Sequence, residues 1–210
     1  MARLSMLRKA NVVEGALALL DTEGLDGLTM RKLGGALGVQ AGALYRHFPS
    51  KEALLDAMAE QLLEGIADEL PAGDWEQQLT ALAERFRQAL LTRRDGARLV
   101  AGTFVSAPNT NAAGAVAANR LVAAGLSPAR AGWLTFACMY FVLGHTIEEQ
   151  AQLELKGPDS WEARVRRSPP EDPVWAQALG AVVAADPGER FRYGLSLLLD
   201  GIRQQLPAET

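Results

Sequence analysis

Between Leu28 and Leu55 the chain reads LTMRKLGGALGVQAGALYRHFPSKEALL, and no other stretch restricts the fold as tightly. Thr29 is a good N-cap for a short helix over Met30–Leu37, because its hydroxyl accepts a backbone N–H of the first turn. Gly38 stands where a left-handed residue ends that helix. After Val39 and Gln40 a second short helix is predicted from Ala41 to about His47. Pro49 closes it, since the residue before a proline disfavours helix. Two short helices joined by a turn with one glycine cross steeply, which is the geometry of a helix-turn-helix. Leu33, Leu37, Val39, Leu44 and Phe48 then share one small core. Ala41, Gly42, Tyr45 and Arg46 point outward. A small-small-Tyr-Arg face suits entry into a groove better than solvation.

The rest of the chain also reads as helix. Val13, Ala16, Leu17 and Leu20 line one face of a first helix over Leu7–Leu20, stopped by Gly24. Ser50 caps a fourth helix over Lys51–Leu70, and Asp74 caps a fifth over Trp75–Leu91 after the break Pro71-Ala72-Gly73. Further helices are expected over Asp95–Val105, Asn111–Ala124, Pro128–Leu155, Val174–Ala184 and Pro187–Leu206, with a polar loop over Gly157–Pro173. No alternating β-branched run or Asn-Gly turn argues for a strand. The expected fold is all-α with about ten helices: a three-helix head with a helix-turn-helix over residues 1–50, and a larger helical bundle over 51–210.

Charge is distributed unevenly. The net charge is −4, yet residues 1–51 hold seven Lys and Arg against four Asp and Glu. A basic head on an acidic body fits a modular DNA binder. The single cysteine permits no internal disulfide. With no signal peptide and no long apolar span, a cytoplasmic protein away from membranes is expected. The two histidines, His47 and His145, are too few for a zinc enzyme. His145-x-x-Glu148 has di-iron spacing but no second pair. Cys138 lies in an apolar helix with no base beside it in sequence and reads as inert. No nucleophile elbow, P-loop or dinucleotide fingerprint occurs, so neither an enzyme, a metal site nor a cofactor is expected.

The eighth and tenth helices, over Pro128–Leu155 and Pro187–Leu206, are apolar on more than one face. A homodimer seam built from this pair in each chain would bury them, with Gly144 and Gly194 allowing close approach; the other reading makes both helices monomer core. Phe86, Val100, Phe104, Trp133, Phe136, Met139 and Tyr140 are candidates to line a ligand cavity.

The head segment resembles the DNA-binding domain of TetR-family repressors, in Leu44-Tyr45-x-His47-Phe48 and in the lysine that opens the fourth helix. Arg93-Arg94-Asp95-Gly96-Ala97, Gly102-Thr103 and Leu143-Gly144-x-x-Ile147-Glu148-x-Gln150 are similar to the tetracycline-repressor branch. The resemblance implies that the third helix reads double-stranded operator DNA. Tyr45, His47 and Lys51 would then hold phosphates or flank the groove, and Thr29, Arg31, Gln40 and Arg46 would reach DNA. Ala41, Gly42 and Ala43 replace bulkier or polar groups, so the operator would differ from those of the branch. The resemblance also implies an inducer held among the fifth to eighth helices, with Phe86 and Glu148 at ligand positions. Val100 takes the place of a metal-binding histidine, Ala67 and Leu82 replace hydrogen-bonding groups, and Phe104 stands at an arginine position. A magnesium chelate needs oxygen ligands, so a small hydrophobic inducer of a repressor is expected instead. The alternative is a helical small-molecule binding or sequestering protein whose head reads no specific DNA.

Overall fold

The chain folds as helices throughout its described length, because its apolar residues recur at helical spacing and its polar residues sit at the caps. The computed structural model describes residues 8–103 and 106–207. Eleven α-helices and one 3-10 turn occur there, and no strand. The head is α1 (Lys9–Gly27), α2 (Met30–Ala36) and α3 (Ala41–Tyr45). Val12, Ala16, Leu20, Leu33 and Leu44 form its core, without solvent contact, and Leu37 and Val39 pack against them half-buried. Thr29 Oγ1 accepts from Lys32 N, as a cap requires. Gly34 permits the steep α2–α3 crossing: a Cβ there would lie 2.9 Å from the Val39 carbonyl oxygen and 3.2 Å from Ala41 N.

The body runs α4 (Lys51–Leu62), α5 (Trp75–Leu91), α6 (Gly96–Ala101), α7 (Pro108–Ala123), α8 (Pro128–Glu154), α9 (Trp161–Arg167), α10 (Pro173–Ala184) and α11 (Pro187–Arg203). The long α8 packs against α5, α6, α7 and α11. Gln150 of α8 holds the α5–α6 corner. Its side-chain amide donates to the Leu90 and Arg93 carbonyls and accepts from Ala97 N, satisfying groups that two helix ends leave open.

The helix bounds correct the sequence reading most clearly in four places. Gly24 is left-handed (φ 71°), yet helix resumes to Gly27, because the Asp95 carboxylate takes the Leu25 N–H at 2.8 Å. The fourth helix stops at Leu62 rather than Leu70: Gly65 turns left-handed (φ 74°), although Leu63 and Ile66 stay buried. The seventh begins at Pro108, three residues before the expected Asn111. The expected loop over 157–173 holds α9, capped by Ser160, whose Oγ accepts from Ala163 N. About ten helices thus become eleven.

Charged groups tie head to body. Asp21 accepts from Arg93 Nη1 at 2.7 Å and from Arg94 N at 3.1 Å, and Asp26 pairs with Arg98. Asp95 is itself left-handed (φ 56°), which turns its carboxylate toward α1.

Candidate DNA-reading face and ligand cavity

Burying Leu44 and Phe48 leaves the rest of α3 and its flanks to face outward. Arg31, Gln40, Gly42, Tyr45 and Arg46 are exposed, Tyr45 by half its surface. Ala41, Ala43, His47 and Lys51 are half-buried on the same segment. Thr29 is exposed but its hydroxyl is engaged in capping α2. Lys32 pairs with Glu23 at 2.5 Å, whereas Arg31, Arg46 and Lys51 make no ion pair among the described residues. Their charges remain available to a polyanion.

The body encloses a cavity of about 960 Å³. Leu79, Leu82 and Phe86 of α5, Val100 of α6, and Cys138, Met139 and Leu143 of α8 build an apolar wall. Small residues on α7, among them Ala113, Gly114 and Ala117, leave the space open. Its polar groups are Thr103, Ser106, Thr110, Asn111, Thr135 and Tyr140, and no charged side chain lines it among the described residues. Burial pushes the Cys138 thiol above its ordinary range.

The structure brings together Phe86, Val100, Phe136, Met139 and Tyr140 of the sequence-derived set. Trp133 does not line the cavity. It lies on the outer face of α8, three-quarters exposed, because the helix turns it away from α5 and α7. Glu148 is exposed on that same outer stripe and also misses the cavity. Its neighbour Glu149 is the carboxylate that turns inward, where Arg87 Nε and Nη2 donate to it at 2.8 and 2.5 Å. Phe104 lies outside the described residues. Gly194 is also reassigned: a Cβ there would lie 2.7 Å from the Phe141 ring of the same chain, so this glycine serves α8–α11 packing within one chain, while Gly144 faces open space.

The sequence reading passed over Thr103, Ser106, Thr110 and Asn111. Pro108, a favoured first-turn residue, signals that α7 starts early enough to carry Thr110, whereas Thr103 and Ser106 lie before that helix. The outer stripe of α8, with Trp133, Phe136 and Tyr140, continues onto Tyr193 and Leu197 of α11, and all five are more than half exposed in the single chain. Helix α10 is apolar yet buries no residue. Among the described residues no helix is long and apolar enough to cross a membrane.

Two family models match the chain: "Bacterial regulatory proteins, tetR family" over residues 12–58, and "Tetracyclin repressor-like, C-terminal domain" over residues 67–206. The chain is 39% identical over 205 residues to the class A tetracycline repressor from transposon 1721 of Escherichia coli, covering 96% of this chain and 93% of that protein. Its fold is similar to a possible TetR family regulator from Streptomyces coelicolor A3(2), at TM-score 0.87 and 42% identity, covering 94% and 99% of the two chains. It is also similar to a substituted TetR of Acinetobacter baumannii AYE in complex with minocycline, at TM-score 0.72 and 35% identity over 97% and 100%. A fourth likeness is to BioQ with its double-stranded DNA operator, at TM-score 0.72 and 31% identity over 94% and 98%. With a helix-turn-helix head, a ligand cavity and these matches along nearly its whole length, the chain belongs to the TetR family, whose members are non-enzymatic DNA-binding transcriptional repressors that take small-molecule ligands.

Proposed function

We propose that this chain is a homodimeric repressor, with a DNA-binding unit over residues 1–50 and a ligand-binding and dimerisation unit over 51–210, released from an inverted-repeat operator by a small, uncharged, largely apolar inducer. The observation that carries the ligand class is the cavity lining: apolar walls, a few hydroxyl and amide groups, and no charged side chain among the described residues. Such a lining leaves an ionised ligand unpaired and offers no carboxylate to a metal chelate. Minocycline is the ligand of the Acinetobacter relative, and Val100 and Leu82 give this cavity a more hydrophobic chemistry than a magnesium chelate needs.

The two α3 helices read successive major grooves, Arg31 reaching a base edge and Tyr45, His47 and Lys51 seating the backbone. Dimerisation covers the apolar stripes of α8 and α11, which a soluble single chain would not leave bare. Two heads must sit about 34–36 Å apart to meet one face of the duplex. Helix α4 joins head to cavity, so its tilt resets that spacing. A ligand drives release only by favouring the tilted state.

Cys138 provides a test without knowledge of the inducer. It lines the cavity and is the chain's only cysteine, so alkylation with monobromobimane places a neutral bicycle there. Because burial raises the thiol, labelling is carried out at alkaline pH. Labelled protein is expected to stay dimeric and to lose operator affinity by about 5–150-fold. Full labelling with unchanged affinity contradicts the switch.

A further inference from the structure

Helix α7 starts without a cap of its own. Ala107 stands at the N-cap position and offers no side-chain acceptor, and Pro108 has no N–H. The next two N–H groups are satisfied from another helix. Asn109 N donates to Glu60 Oε1 at 2.5 Å and Thr110 N donates to Glu60 Oε2 at 3.3 Å. The Thr110 hydroxyl donates to the same Oε2 at 3.1 Å, and the Asn109 side-chain amide donates to the Glu60 backbone carbonyl at 3.1 Å. Glu60 belongs to α4, the helix that leads back to the reading head. A carboxylate on the free N–H groups at a helix N-terminus is favoured by both hydrogen bonding and the helix dipole.

Thr110 has a second role: it lines the ligand cavity, as does Asn111 beside it. One residue thus faces the ligand space while bonded to α4. The other contacts between α4 and the cavity region, through Ala59 and the following Leu63, are apolar and can slide. The Glu60 contacts resist sliding, because a shift of α7 against α4 leaves half-buried N–H groups without an acceptor.

We propose that Glu60 and the first turn of α7 form the latch that couples cavity occupancy to α4, with Thr110 as the residue that both ligand and latch engage. The latch rests on the inducer-switch reading above and names how that switch is transmitted. A ligand that presses on the first turn of α7, or hydrogen-bonds the Thr110 hydroxyl, moves the acceptor geometry that Glu60 follows. Helix α4 is a rod of about 18 Å, and it delivers that movement to Ser50 and Lys51, beside the recognition helix. The chemistry of the latch also narrows the ligand: an apolar body with one neutral hydrogen-bonding end turned toward Thr110 and Asn111.

The test uses the full-length dimer, monobromobimane on Cys138 as the occupant, and fluorescence anisotropy on an operator selected from random duplex DNA. Kd is measured with and without the label for the wild type, Glu60→Gln and Thr110→Val. The wild type should lose about tenfold or more on labelling, and Glu60→Gln less than about threefold. Thr110→Val keeps the backbone N–H bonds, so it preserves the fold should Glu60→Gln fail to do so, and it should shift the ratio in the same direction. A role confined to stability would weaken labelled and unlabelled protein alike. An unchanged labelled-to-unlabelled ratio in both variants therefore overturns the latch while leaving the switch intact. A wild type that ignores the label overturns the switch reading, and the latch with it.

Discussion

Arg87→Met lowers the free energy of unfolding by about 3–5 kcal/mol. Arg87 and Glu149 form a bidentate pair with side chains 10% and 7% exposed. The Arg87 guanidinium also lies 5.2 Å from the Phe191 ring centroid, in a cation–π arrangement. Removing the arginine strands a carboxylate in this setting, and the cost is that of an unpaired buried charge. The double variant Arg87→Met/Glu149→Leu should recover most of the loss, since a well-packed apolar pair replaces an ion pair with little penalty. Urea unfolding at one fixed protein concentration measures both. A single-variant loss below about 1 kcal/mol contradicts the buried-charge account.

His145 sharpens that expectation. Its Nδ1 is buried without a hydrogen-bond partner and lies 3.7 Å from Glu149 Oε2. Burial, chiefly, holds the imidazole below its ordinary pKa; Glu149 pulls the other way, and Arg87 and Arg190 reinforce burial. The folded state therefore favours neutral His145, so its contribution is present above the unfolded pKa of about 6.5 and is lost as pH falls through the lower folded value. In Arg87→Met a protonated His145 becomes the remaining partner for Glu149. The cost of the substitution should accordingly be smaller at acidic than at neutral pH.

Leu197→Asp is expected to separate the dimer and to weaken operator binding by about 100-fold or more, the avidity lost when two heads no longer bind as one unit. Leu197 is 55% exposed in the single chain and sits on the α8–α11 stripe with Tyr140 and Tyr193. The monomer fold therefore tolerates an aspartate there. A two-fold seam would hold two such carboxylates, desolvated and of like charge. Sedimentation velocity reads the association state and anisotropy reads the affinity. A variant that stays dimeric with full affinity places the seam elsewhere.

Features set by local chemistry were the ones legible in the sequence. Thr29, Gly38, Pro49 and Ser50 mark the helix-turn-helix, and each depends on a hydrogen bond or backbone preference spanning only a few residues. The apolar α8 and α11 were legible for the same reason, since helical spacing alone reports an apolar face. What stayed hidden depends on distant partners. Helix resumes after Gly24 because Asp95, far along the chain at the N-cap of α6, takes the Leu25 N–H. The cap of α7 is hidden because Glu60, far from it in sequence, takes the place of an N-cap side chain. Glu148 and Glu149 are adjacent in sequence, and only the packing of α5 against α8 selects Glu149 as the buried one. Trp133 reads as cavity or seam with equal ease until the rotation of α8 is known.

The most direct test of the central claim is selection of bound fragments from random duplex DNA by the purified protein. The account predicts enrichment of an inverted repeat with half-sites about 34–36 Å apart. Failure to enrich any sequence over background would show that the Ala41-Gly42-Ala43 face does not read DNA, and would leave a helical ligand-binding protein in place of a repressor.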